Sequence, residues 1–120
     1  MRPVTPLLAS ALALGCGGYK HEDFAVAFAE NTCALYETCD ILVTTMGFAD
    51  LDDCLDDMKD RVDPARGNCP EYDDEVAFSC IEALAALPCE DAFAGEWPAA
   101  CDQTCPDGAA SKPEPASDAD

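Results

Sequence analysis

Nine cysteines, one histidine and 25 acidic side chains hold most of the chemistry open to this 120-residue chain. A catalytic thiol needs basic neighbours or a helix N-terminus to lower its pKa, and these cysteines lie among acids. A zinc site needs four ligands in a tetrahedron. There is no C-x-x-C pair, and the one histidine, His21, lies twelve residues before the nearest of the eight cysteines that follow it. Cys101-x-x-x-Cys105 would put two sulfurs on one helical face, which is half a site. A serine triad would have to join His21 to Ser79, inside a predicted helix, or to Ser111 or Ser117 near the C-terminus. None of them stands on a glycine-flanked elbow. The remaining use of so many thiols is disulfide formation.

The aspartates Asp52, Asp53, Asp56, Asp57 and Asp60 raise a calcium hypothesis. An EF-hand loop sets oxygens at alternate positions, with a glycine at the turn and a closing glutamate. Here the acids are spread along a predicted helix with neither, so a solvated helix face is expected. Paired carboxylates could in principle hydrolyse glycosides, but about 84 structured residues with few aromatics leave little room for a sugar cleft. No glycine-rich phosphate loop is present. The expectation is a non-enzymatic chain with no catalytic residues, no metal ligands and no cofactor.

The N-terminus has the three parts of an export signal. Arg2 supplies charge, residues 4–14 are mostly apolar, and Ala13-Leu14-Gly15 leads into Cys16. A bilayer span needs about twenty apolar residues, and this run is about half that. The stretch resembles the lipobox of bacterial lipoproteins, with Ala13 where leucine is commonest and Leu14 where a small residue is commoner. The rival is plain secretion with cleavage after Ala11-Leu12-Ala13. The resemblance implies that residues 1–15 are a signal peptide and that Cys16 becomes the acylated first residue. It also implies a membrane partner through that lipid. Gly17, where inner-membrane lipoproteins often carry Asp, leans towards the outer membrane. Beyond the lipobox, the likeness is to small cysteine-rich bacterial lipoproteins of unassigned function.

Removing Cys16 leaves an even set: Cys33, Cys39, Cys54, Cys69, Cys80, Cys89, Cys101 and Cys105. Eight cysteines fit four disulfides, as expected of a small exported domain with a thin core. The whole chain carries −19, and loss of Arg2 with the signal takes it to −20. Such a charge repels nucleic acid, whose binding depends on Lys and Arg neutralising phosphate.

Three helices are legible from apolar spacing. The first is predicted over 22–39, with Phe24, Ala27, Phe28, Asn31 and Leu35 on one face. Cys33 and Cys39 lie about 240° apart on it and should bond to different partners. Residues 40–49 are expected to form a buried connection ended by Gly47, since Ile41 to Thr45 favour extended structure but make no sheet alone. The second helix follows an Asp50 N-cap, faces inward through Leu51, Cys54, Leu55, Met58 and Val62, and ends at Pro64 and Gly67. The third, capped by Asp73 or Asp74, runs to Pro88 and should be the most buried. Trp97 is expected to lie over the core, before a short final helix over 99–105.

The fold class expected is all-α: a small irregular three- to four-helix bundle stapled by disulfides. Its parts would be a lipidated tether over 16–21, the helical domain over 22–105, and a disordered acidic tail over 106–120. Chain geometry favours Cys39–Cys54 and Cys69–Cys80. The remaining four cysteines would tie the C-terminal segment to the first helix. Two functions fit: a non-catalytic envelope lipoprotein that is structural or binds an unidentified envelope protein, or an acidic binding module for divalent cations or a small ligand.

Overall fold

The computed structural model describes residues 18–113. Among them every regular element is helical: α1 (His21–Thr38), α2 (Leu51–Arg61), a 3₁₀ turn (Pro64–Arg66), α3 (Asp74–Ala86), α4 (Cys89–Phe93) and α5 (Ala99–Thr104). The long α1 packs against both α2 and α3, and α5 lies along α3. Residues 1–17, which include the expected signal segment and Cys16, and residues 114–120 lie outside the described residues.

Local chemistry sets the boundaries. Asp50 caps α2 by accepting from the Asp53 amide at 2.9 Å, while Asp53 accepts in return from the Ala49 amide at 3.0 Å. The return bond reaches the residue before the cap rather than the amide of Asp50 itself, so this is a variant of the capping box, with Asp where Glu or Gln is usual. Asp73 caps α3 by accepting from the amides of Glu75 and Val76. Prolines 88 and 98 stand just before α4 and α5, where a missing N–H costs nothing. After α1, Asp40 turns the chain in the left-handed region at φ 62°.

The 40–49 connection is built of turns. The amides of Thr45 and Met46 both bond to the Ile41 carbonyl, which buries Leu42 and Met46 and leaves Val43 exposed. The apolar run at 41–43, with β-branched Ile41 and Val43, has no strand to pair with among the described residues, so local turn bonds satisfy its backbone instead.

The most buried element is α1, with nine buried residues against four on α3. The sequence points to α3 instead, because its central part is poorer in polar residues. Both helices have two neighbours, but α1 turns nine of its residues inward, whereas α3 leaves Glu75, Ser79, Glu82, Ala85 and Ala86 exposed. Phe24, Phe28, Met58, Val62 and Leu84 fill the centre.

Four disulfides use all eight cysteines after Cys16: Cys33–Cys54, Cys39–Cys89, Cys69–Cys105 and Cys80–Cys101. Cys33 and Cys39 do take different partners. The two specific pairings expected, Cys39–Cys54 and Cys69–Cys80, are not formed. Cys33, on the buried face of α1, is the cysteine that meets Cys54 of α2, while Cys39 sits past the helix end beside the start of α4. On the other side, α5 lies against α3, so Cys101 reaches Cys80 and Cys105 reaches Cys69. The Asp73 amide also bonds to the Thr104 carbonyl there. In the chain-entropy model, bridges closing 21 to 50 residues contribute about 3–4 kcal/mol each.

The folded body extends beyond 22–105 at both ends. Gly18 to Lys20, expected as part of a tether, are docked. Within 106–113, expected as disordered, Ala110 is fully buried and Pro113 is buried too. The Trp97 indole N–H donates to the Ala110 carbonyl at 3.0 Å. Alanine and proline are small, but a tryptophan donor and a cysteine clamp at 105 suffice to hold them.

Candidate functional site

Two features stand out at opposite ends of α1. At its start lies the seat of the N-terminal segment. Gly18 adopts φ +75°, and a Cβ added there would come 2.2 Å from the Asp74 carbonyl oxygen, so only glycine fits. The next residue, Tyr19, sets its ring 6.1 Å from that of Phe78 and accepts at its carbonyl a 2.5 Å hydrogen bond from the Tyr72 hydroxyl. His21 stacks on Tyr72 at 4.4 Å and bonds through Nε2 to the Val62 carbonyl at 2.8 Å. Burial, with Asp74, Asp23 and Asp73 nearby, pushes the Tyr72 phenol above its ordinary pKa, so it stays a proton donor.

This seat accounts for the only histidine, which is held in a structural stack. The eight cysteines are held as disulfides. Ser79 lies exposed on α3. The aspartates of α2 are exposed, and two of them pair with arginines: Asp57 with Arg61 and Asp60 with Arg66, both at 3.3 Å. Among the described residues no three His, Cys, Asp or Glu side chains converge as a metal site requires.

Near the other end of α1 a cleft opens, with a volume of about 280 Å³. Its walls include Tyr36 from α1, Ile41 and Met46 from the following turns, Phe93 from α4, and Trp97. Trp97 serves both core and cleft. Its ring meets Phe28 edge to face at 6.5 Å, and it also lines the opening. Tyr36 is nearly buried, and that burial raises its phenol pKa, with Arg61 opposing weakly. Fifteen residues separate His21 from Tyr36, about 22 Å along a helix axis. Sequence reasoning missed the cleft because its residues come from four separate stretches. The one local signal was Phe93 and Trp97, two aromatics in a chain short of them.

No helix among the described residues is long and apolar enough to cross a membrane. Four disulfides are the chemistry of an exported protein. Comparison with protein families, curated proteins and solved structures finds no match for this chain.

Proposed function

We propose that this chain is an exported lipoprotein of a bacterial envelope, acylated at Cys16 and held preferentially at the outer membrane. In this reading it performs no catalysis and serves a structural or protein-binding role. The observation that carries it is the division of the cysteines. Four bridges take every cysteine from 33 onward, and the ninth is the one that ends the Ala13-Leu14-Gly15-Cys16 stretch. Plain secretion after Ala13 would leave an odd thiol in an oxidising compartment. The multiple acyl chains of a lipoprotein give firm anchoring, which a single chain does not.

The seat sets how closely such an anchor would hold the body. If Cys16 carries the lipid, only Gly17 separates it from docked Gly18, a reach of about 7 Å at full extension. The membrane would then hold the α1 start, and the cleft would be presented away from it.

Intact-mass analysis of the native, membrane-extracted protein tests this directly. The expected mass begins at Cys16, includes the acyl chains and lacks the hydrogens of eight thiols. Cys16→Ser should block processing and release the protein from membranes. A variant that stays membrane-bound after high-salt washing would overturn the proposal. A calcium-dependent rise in melting temperature would favour the cation-binding alternative.

A further inference from the structure

We infer that the cleft beside Trp97 receives one large apolar side chain from a basic peptide segment of a partner protein. The inference rests on the protein-binding role proposed above and adds the chemistry of the partner.

Shape and lining point to a single anchor. At about 280 Å³ the cleft falls just below the usual range of about 300–1,000 Å³ for small-molecule sites. Its walls are mainly aromatic and aliphatic, with Met46 as the adaptable member and Thr45, Glu96 and Lys112 as the polar ones. Phe93, at 62% exposure the most exposed large apolar residue among those described, stands in that wall. A filled pocket ringed by a polar rim is how an anchor side chain supplies most of an interface's binding energy.

Charge selects what flanks the anchor. Glu37 follows Tyr36, Asp40 precedes Ile41, Glu90 and Asp91 share α4 with Phe93, and Glu96 itself lines the cleft. Lys112 is the one cation in the lining. In the lining itself Glu96 and Lys112 offset each other, and Arg61 lies close enough to act on Tyr36. The bias therefore comes from the four acids on the elements that supply the walls and from a chain of −19, which attract basic flanks and repel acidic ones. Such complementarity speeds encounter and rejects wrong partners, while the apolar anchor supplies the affinity. A bare metal cation would leave the apolar walls unfilled.

Trp97 is the only tryptophan in the chain, so its fluorescence reports occupancy of the cleft. The probes are three capped peptides: Lys-Lys-Phe-Lys-Lys, its alanine-centred version, and Glu-Glu-Phe-Glu-Glu. They are titrated into the full-length oxidised protein at about 0.15 M salt, where the Debye length is about 8 Å. The first should give a saturable blue shift, the second should bind at least about tenfold more weakly, and the third should not bind. Thr45→Phe, from an exposed position in the cleft wall, should weaken the first peptide about tenfold by filling the mouth. Phe93→Ser should act in the same direction without disturbing the buried core. Equal affinity for the phenylalanine and alanine peptides would reduce the effect to charge and overturn the inference. So would binding of the acidic peptide, unchanged binding in both variants, or no saturable response at millimolar peptide. A membrane partner cross-linked equally by wild type and Thr45→Phe would keep the general protein-binding proposal and exclude the cleft.

Discussion

Cys39 and Cys89 join the end of α1 to the start of α4 across a Cα–Cα distance of 5.5 Å, and Cys89 alone among the eight bridged cysteines is only partly buried. The six cysteines of the other three bridges are 0% exposed. Thiol–disulfide exchange needs an attacking thiolate to reach a sulfur, so access orders the reactions. Limiting reductant followed by alkylation and peptide mapping should therefore label Cys39 and Cys89 first. α4 has only five residues, far too few to hold a helix alone. Its release should loosen the Phe93 wall and red-shift Trp97 emission while most of the helical signal survives. First labelling at Cys69 and Cys105 would contradict this order.

Gly18 and Gly67 share φ +75° but differ in surroundings, which makes them a matched pair. An added Cβ at Gly67 meets nothing within 4 Å, so Gly67→Ala should cost only the left-handed torsion, about 1 kcal/mol. Gly18→Ala adds a clash with the Asp74 carbonyl. The segment must undock and lose the Tyr72 bond to Tyr19, for a total of about 2 kcal/mol. For a domain of this size each kcal/mol shifts Tm by roughly 4–8 °C. Equal Tm losses in the two variants would show that the N-terminal seat adds nothing to the fold.

The elements whose signals are local were legible in the sequence. Asp50 and Asp73 announced their helices because a short side-chain acceptor beside free amides acts within three residues. Cys33 and Cys39 diverged as helical geometry requires. The disulfide partners were not legible, because choosing Cys105 over Cys80 for Cys69 depends on α5 folding back along α3. Nothing in residues 99–104 encodes that placement by itself. Ala110 shows the same limit: an alanine in a polar, proline-containing stretch reads as tail until the Trp97 N–H is known to reach its carbonyl. The cleft was hidden for a related reason, since no single stretch holds more than a few of its walls.

Tyr36 and Tyr72 give the fold a definite response to alkali. Burial raises both phenols above the ordinary value of 10, with neighbouring aspartates adding to the effect at Tyr72. The unfolded chain therefore loses these protons first as pH rises. The associated stability is fully present below pH 10 and is lost as pH climbs from there towards the folded-state values. Tm should be insensitive to these two groups at neutral pH and fall above pH 10. A Tyr36→Phe, Tyr72→Phe double variant should start lower, for want of the bond to Tyr19, and show a shallower alkaline slope. An unchanged slope would mean that other groups govern the alkaline transition.

The last question is whether staples or packing hold the bundle. Five large residues fill the centre, but much of the buried set is alanine and cysteine, which exclude little water each. The chain's net charge of −19 opposes compaction, most strongly at low salt. Disulfides act mainly on the unfolded chain, so their removal enlarges the ensemble that this core must compete against. The reduced chain keeps only helices of five to eighteen residues, and such lengths are marginal in water without tertiary support. Full reduction at neutral pH and low salt should abolish most of the helical circular dichroism. The oxidised protein should melt cooperatively, at a temperature that rises with added salt. A reduced protein with full helicity and a sharp melt would show that Phe24, Phe28, Met58, Val62 and Leu84 suffice without any bridge.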